Sequence, residues 1–230
     1  QLRKRFEELA IPPAWTGVWI CPHVNGHIRA NGLDAAGRRQ YIYHPAWREQ
    51  KDRVKFDRAL DLAERLPAAR RRTTRALRGS GLTRERALAA AFRMLDTGSL
   101  RIGSEHYADA NGSHGLSTLL CSHATLDGDT VTLCFPAKSG QLWESDISDP
   151  DLAAFLRERG GRREEPLLGW QEGGEWHSLS ALEINGYVKE TTGSDFSAKD
   201  FRTLRGTLAA AVSLARSGPA ASQRGRSRAL

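Results

Sequence analysis

Between Ile11 and Arg48 the chain is cut into runs too short for helices. From about Trp47 the period of its apolar residues turns helical. A chain with that change of period cannot close into one continuous sheet or one bundle of helices, and has to join a small β module to a larger helical body. Ile11-Pro12-Pro13 cannot continue a helix. Val18-Trp19-Ile20-Cys21, His27-Ile28-Arg29-Ala30 and Gln40-Tyr41-Ile42-Tyr43 are strand-length runs, separated by turn signals at Asn25-Gly26 and between Gly32 and Gly37.

In the helical part, Val54, Phe56, Ala59, Leu60, Ala63 and Leu66 mark a first helix ahead of Pro67, an Arg70-Arg71-Arg72 run and Gly79. Leu88, Ala91, Phe92 and Leu95 repeat at helical spacing up to Gly98. Leu116 to Leu120, Asp129 to Phe135 and Gln141 to Ile147 then read as three antiparallel strands joined at Asp127-Gly128 and at Lys138-Ser139-Gly140, which puts Lys138 at a hairpin tip. Three helices follow, opened by Asp149-Pro150, by Ser178 or Ser180, and by Ser197 with Asp200 three residues on in the capping-box pattern. On the last one, Phe201, Leu204, Leu208, Ala211 and Val212 gather on one side, and Lys199, Arg202 and Arg205 lie beside them on another. No internal repeat occurs, and the tail from Ala220 is low in complexity. The expected fold class is α+β: a small N-terminal antiparallel β module over 1–49, then a mainly helical domain over 50–230 that carries a three-stranded sheet.

The 230 residues are 40% hydrophobic, enough for a packed core in one or two domains. The longest apolar stretches, around Leu208 to Val212 and Leu116 to Leu120, fall far short of the roughly 20 residues a bilayer span needs, and no secretory leader opens the chain. Cytoplasmic localisation and no membrane partner are expected. Cys21, Cys121 and Cys134 are an odd number without a CxxC pair, which argues against a disulfide framework and a four-cysteine zinc site. There are 34 Lys and Arg against 27 Asp and Glu, unevenly placed. Residues 1–100 carry 20 basic and 10 acidic side chains, residues 101–200 carry 8 and 17, and residues 201–230 carry 6 and none. A partner rich in phosphates explains such basic zones through counterion release, and a solvated basic surface explains them equally well.

Phosphate-loop, dinucleotide, HExxH and GxSxG motifs are all missing, so no nucleotide partner is implied. Cys21, His23 and His27 form a C-x-H-x3-H cluster that lacks a fourth ligand, and neither a metal nor another cofactor is expected. What remains is Arg101, Lys138, Lys199 and Arg202, each at a boundary between elements. Arg holds two phosphate oxygens in a planar fork, and Lys is a compact charge able to give up a proton. Those are the parts phosphoryl transfer needs, although each residue singly reads as an ordinary surface charge.

Four collinear stretches carry a more specific signal: IPPAWTGVWICPHVNGHIRANGLDAAGRRQYIYHPAWRE (11–49), LRIGSEHYADANGSHGLSTL (100–119), the Ala137-Lys138-Ser139-Gly140 hairpin, and FSAKDFRTLRGTLAA (196–210). Together they resemble the type IB DNA topoisomerases, in particular the small bacterial and poxvirus-like branch. The resemblance implies an enzyme that relaxes supercoiled DNA by transient single-strand cleavage and religation, without ATP or metal. It implies that Arg101 and Arg202 hold the non-bridging oxygens of one phosphodiester, and that Lys138, with Lys199, protonates the leaving 5′ oxygen. A tyrosine would be the nucleophile, giving a 3′-phosphotyrosyl intermediate. The family also reads double-stranded DNA with its N-terminal sheet. Here that implies Gln40 at base edges, Tyr41 and Tyr43 against backbone or thymine methyl, Tyr107 near the cleavage site, and Arg38, Arg39 and Arg48 as phosphate clamps. Tyr41 and Tyr43 covering the small sheet's own core, and the arginines as plain surface charges, remain open at this point. A monomeric, nucleoid-associated protein is implied.

One departure stands out. In the family the nucleophile, and a His or Asn that precedes it and also contacts the scissile phosphate, lie C-terminal to the KDxRT helix, and none of Tyr41, Tyr43, Tyr107 and Tyr187 matches the place of the nucleophile. The 230 residues, which begin at Gln1 without a Met, are therefore expected to be part of a longer protein and, by themselves, to bind DNA without cleaving it. A DNA-binding fragment without catalysis and a tyrosine recombinase are the alternatives, the second weakened by the GRRQYIYHPAW module.

Overall fold

The computed structural model describes residues 2–217, with backbone alone for Leu2, Tyr107 and Ser217; the tail from Ala220 lies outside the described residues. Chain contacts divide the protein into two units, Gln1–Asp57 and Arg58–Leu230.

The first unit contains helix α1 (Leu2–Glu7) and an antiparallel sheet in the order β1 (Thr16–Ile20), β2 (Ile28–Leu33), β3 (Arg39–Tyr43), so the three strands expected here form with small shifts of boundary. Asp34 makes the β2–β3 turn. Its Oδ1 accepts from the backbone N–H of Ala36 at 3.0 Å and of Arg38 at 2.9 Å, and Gly37 takes the left-handed φ of 72° that the turn requires. Arg5 donates to the carbonyls of Cys21, Pro22 and His23, which fixes the turn after β1 from the side of α1.

Helix α2 (Pro45–Leu77) begins in this unit and continues into the second, and it runs straight through Pro67. Of the apolar residues that mark this helix in the sequence, Val54, Phe56 and Leu60 are exposed; the buried stripe is Ala59, Leu62, Leu66, Ala69, Thr73 and Leu77. A proline inside a helix removes one i→i−4 bond and crowds the preceding turn. Burial of Leu62 and Leu66 before it and Ala69 after it holds the helix together across that defect.

In the second unit, helix α3 (Arg84–Gly98) is the hub. Ala87, Ala89, Ala90 and Ala91 are fully buried, and such small side chains let neighbouring elements approach the α3 backbone closely. Phe92 of α3 meets Phe201 edge to face at 5.2 Å and Tyr187 at 6.3 Å. Thr83 caps its start, and Ser99 ends it in a left-handed conformation next to the expected stop at Gly98. After α4 (Glu105–Asn111) comes an antiparallel sheet in the order β4 (Ala124–Asp127), β5 (Thr130–Pro136), β6 (Leu142–Ser148). Val131, Leu133 and Phe135 point into the core at period two.

The sequence made Leu116 to Leu120 a strand of this sheet. Instead Leu116–Thr118 is a turn of 3-10 helix, closed by Thr118 N–H donating to the Gly115 carbonyl, and β4 supplies the third strand. Asp149 caps α5 (Pro150–Arg159) as expected. The hairpin β7 (Gly169–Glu172) and β8 (Glu175–Ser178) had no counterpart in the sequence reading. Of the two candidate caps, Ser180 is the one that opens α6 (Ala181–Thr192), in a full capping box with Glu183, and Gly193 closes it at φ 68°. Last comes α7 (Ala198–Ser217). Its apolar side is buried only at Phe201 and Leu204; Leu208, Ala211 and Val212 are exposed.

Candidate catalytic and nucleic-acid site

Two glycines set the geometry of the site. The backbone of Leu116 donates to the Arg101 carbonyl and that of Ser117 to the Ile102 carbonyl, both at 2.8 Å, so the Arg101-Ile102-Gly103 and Gly115-Leu116-Ser117 segments lie side by side. They approach so closely that a Cβ on Gly115 would stand 2.5 Å from the Cα of Gly103. Gly103 itself takes φ 93°, open only to a residue without a side chain. This crossing places Arg101 at one wall of a cavity of about 280 Å³, with Arg202, Arg205, His114, Phe135, Ala137 and Trp143 among its lining.

Helix α7 brings Arg202 to the same cavity. Its first turn is anchored through Asp200, which accepts from the Ser197 N–H at 2.8 Å and the Ser197 hydroxyl at 3.0 Å and forms a two-pronged pair with Arg58 at 2.7 and 3.3 Å. Asp200 is thus occupied with holding the helix; Lys199 before it is exposed, and Arg202, two positions after it, is half-buried at the cavity. One turn on, Arg205 is bound inward. Its Nε donates to the Asp96 carbonyl at 2.5 Å, and its Nη2 lies 3.5 Å from the Asp96 carboxylate, which also receives Arg70 at 2.7 and 2.8 Å.

Arg202 and Arg101 have no such partner: among the described residues neither side chain makes a hydrogen bond or ion pair. The contrast is visible in their titration. The Asp200 and Asp96 carboxylates push Arg58 and Arg70 above the usual guanidinium value. Burial, and then the charge of Arg101, push Arg202 below it. Two uncompensated guanidinium groups at one cavity make a seat for a doubly hydrogen-bonded anion.

Neither Lys138 nor Lys199 is among the residues lining this cavity. Lys138 starts the tight turn Lys138–Gly140 between β5 and β6, at the hairpin tip where the sequence put it, next to the cavity residue Ala137. Lys199 is exposed, three positions before Arg202 on α7. The sequence reading missed His114 and Trp143. His114 carried one signal, its place in Ser113-His114-Gly115 beside the crossing glycines; Trp143 carried none.

The expected DNA-binding residues lie in the first unit apart from Tyr107, whose side chain lies outside the described residues. Tyr41 and Tyr43 do share a face: their rings stack at 5.9 Å, and Tyr43 stacks in turn on Trp47 at 4.3 Å. Tyr41 stays exposed at the end of this aromatic row, and Lys51 sits over the Trp47 ring. Gln40 reaches back to Asp34 at 2.9 Å, and Arg38 pairs with the same carboxylate at 2.9 Å. Arg39 is held by Asn31 at 2.8 Å, and Arg48 is exposed with no side-chain partner among the described residues. Together Arg38 and Gln40 hold the Asp34 carboxyl down to about 2, the backbone N–H of Arg38 contributing most.

No tyrosine lines the cavity among the described residues. Tyr187 is buried against Phe92, and burial pushes its phenol up, away from use as a nucleophile.

Comparison with known proteins settles the family. Residues 44–229 match the model of the eukaryotic DNA topoisomerase I catalytic core, and residues 1–34 that of the bacterial DNA topoisomerase IB N-terminal domain. The chain belongs to the type IB DNA topoisomerase family. A DNA topoisomerase 1B of Acanthamoeba polyphaga mimivirus is 30% identical over 210 residues, covering 89% of this chain and 62% of that relative. A DNA topoisomerase 1 of Mycosarcoma maydis is 27% identical over 213 residues, covering 84% of this chain and 20% of its own length. The chain therefore spans less than two thirds of either topoisomerase it matches. No described helix is long and apolar enough to cross a membrane.

Proposed function

We propose that these residues are the DNA-binding and phosphate-activating body of a type IB topoisomerase that relaxes supercoiled duplex DNA. The observation that carries this reading is the meeting of Arg101 and Arg202, both without a counter-charge among the described residues, at one cavity of a chain belonging to that family. The two guanidiniums hold the non-bridging oxygens of the scissile phosphodiester and stabilise the charge that accumulates on them as phosphorus becomes pentacoordinate. A tyrosine that follows α7 in the full polypeptide attacks phosphorus through its hydroxyl oxygen, whose proton is released to water. The P–O5′ bond breaks, and Lys138, assisted by Lys199, gives its proton to the departing 5′ oxygen. The phosphotyrosyl bond conserves the energy of the broken linkage, so the 5′ hydroxyl reseals the strand after rotation with no nucleotide or metal consumed.

In this reading residues 1–49 are the DNA-binding domain and residues 50–230 the catalytic domain. Arg38, Arg39 and Arg48 hold phosphates, Gln40, Tyr41 and Tyr43 lie against the duplex, and Tyr107 touches backbone near the cut. Binding requires Arg38 and Gln40 to exchange Asp34 for DNA, whereas Arg48 is ready as it stands. The protein works as a monomer at nucleoid DNA in the cytoplasm, in the small branch of the family that bacteria and poxviruses share. The test is relaxation of supercoiled plasmid in EDTA by the full-length gene product. Arg202→Ala in that protein abolishes cleavage and leaves duplex affinity within a few fold. Equal losses in both make Arg202 a general phosphate clamp, and an intact protein that relaxes nothing overturns the reading.

A further inference from the structure

Nothing holds the Lys138 side chain directly. It is exposed and makes no hydrogen bond or ion pair among the described residues, and the rest of the tip, 139–142, is exposed as well. The bonds within the tip are backbone ones: the Ala137 N–H donates to the Gln141 carbonyl at 2.7 Å, and the Gly140 N–H to the Ala137 carbonyl at 3.1 Å. They fix the shape of the tip and leave its placement to the strands that carry it.

Those strands are β5 and β6, and β6 is the edge of its sheet, paired on one side only. The last cross-strand pair before the tip that is turned inward is Phe135 opposite Trp143; the next, Pro136 opposite Leu142, is exposed. Phe135 is 3% exposed and belongs to the core. Trp143 is half-buried, packs against that core, and lines the cavity together with Arg101, Arg202 and Ala137. Its Nε1–H donates to Ser145 Oγ at 3.0 Å, on the same face of the strand, which sets the rotation of the indole. One large side chain is therefore both the inner anchor of the β6 arm nearest the tip and part of the wall around the two guanidiniums.

We propose that Trp143 is the positioning residue for Lys138: its indole, braced against the core at the cavity wall, sets where the hairpin tip delivers the lysine ammonium. This rests on the topoisomerase reading, in which Lys138 passes a proton to the 5′ oxygen as the P–O5′ bond breaks; Trp143 itself touches neither atom. A general acid has to sit within about 3 Å of the oxygen it protonates, so a shift of about 1 Å in the tip is enough to cost the step. A smaller side chain at position 143 leaves the turn itself intact and lets the β6 arm settle toward the core. Arg101 and Arg202 are carried by other elements, the glycine crossing and α7, and keep their places.

The test uses the full-length protein, single-turnover cleavage, and two duplexes that differ in one atom, oxygen or sulfur at the bridging 5′ position of the scissile bond. A thiol is acidic, with a pKa of about 8.5, so sulfur departs as the anion and needs no proton donor. Trp143→Ala is expected to slow cleavage of the oxygen duplex by about a hundredfold, the cost of a group misplaced by about 1 Å. It should cleave the sulfur duplex, and bind either one, within a few fold of wild type. Trp143→Phe, which keeps a ring on the core, regains most of the rate. In a Lys138→Ala background the same Trp143→Ala change costs nothing further, because the group it positions is gone. If the Ala variant unfolds at the assay temperature, Trp143→Leu is read in the same way. A variant as fast as wild type, an equal loss on both duplexes, or losses that add to those of Lys138→Ala overturn the proposal and leave the function standing. A wild-type protein that cleaves neither duplex overturns both.

Discussion

Replacing Asp96 by Ala removes the acceptor at the centre of the basic cluster under the cavity. Its carboxylate, only 3% exposed, takes two hydrogen bonds from Arg70 at 2.7 and 2.8 Å and a longer one from Arg205 at 3.5 Å. Breaking a buried pair by deleting one partner typically costs about 3–5 kcal/mol, because the other charge is stranded. Here the arginines are not sealed in: Arg70 is 47% exposed and Arg205 34%, so both can turn toward water. That screening brings the expectation to about 2–3 kcal/mol. Urea unfolding of the 230-residue protein measures it. The cycle formed by Asp96→Ala, Arg70→Ala and the double variant should return a coupling of about 1–2 kcal/mol. Additive losses, or a cost under about 1 kcal/mol for Asp96→Ala, refute the argument that this carboxylate fixes the two arginines. A freed Arg205 also adds a third loose guanidinium to the cavity wall, so the variant should bind duplex DNA no more weakly than the parent even as it unfolds more easily.

Pro67→Ala restores an i→i−4 bond in the middle of α2 at an exposed position, and thermal melting should show stabilisation of up to about 3 kcal/mol; a lower melting temperature contradicts the account of that helix. Asp34 is held down to about 2 from an ordinary 3.8, so its contribution to stability is complete above pH 3.8 and fades as pH falls from there toward 2. In Asp34→Asn that part of the acid sensitivity should vanish, and identical melting-versus-pH curves for the two proteins between pH 2 and 4 would falsify the assignment. Gly115→Ala forces a Cβ to within 2.5 Å of Gly103 Cα and 2.9 Å of the Arg101 carbonyl. The segments must part, at about 1–3 kcal/mol, and Arg101 moves with them, so phosphate affinity should drop together with stability. A variant that melts and binds as the parent does contradicts the crossing.

Local signals carried much of the fold. Asp149 before Pro150, Ser180 with Glu183, and Ser197 with Asp200 each fix a helix start within four residues of chain; the first and third are where the sequence placed them, and the second is one of the two positions, Ser178 or Ser180, that it left open. The hairpin with Lys138 at its tip followed likewise from Lys138-Ser139-Gly140. Long-range contacts defeated the rest. Leu116 to Leu120 is apolar enough for a strand, but Gly115 lies against Gly103, a contact that no local window reveals. Helix α2 runs past Pro67 because its buried stripe is supplied with partners on both sides. The β7–β8 hairpin did have a signal, Gly173-Gly174 between Trp170 and Trp176, which went unused. For the site, Lys199, Arg202 and Arg205 shared a helix side in sequence, and only the presence of Asp96 behind them separates the bound Arg205 from the unpaired Arg202.

The glycine crossing also bears on how such a sequence can change over generations. Each glycine occupies the room that a side chain on the other would need, so the two positions form a single heritable unit. A first substitution at Gly115 is disfavoured by the backbone of Gly103, and one at Gly103 by its own φ of 93° as well as by the carbonyl carbon of Gly115 at 3.0 Å. A lineage can rework Leu116 or Ile102 around them, but it has no stepwise route to replacing the pair, and random mutagenesis of this protein should recover both codons intact among active clones.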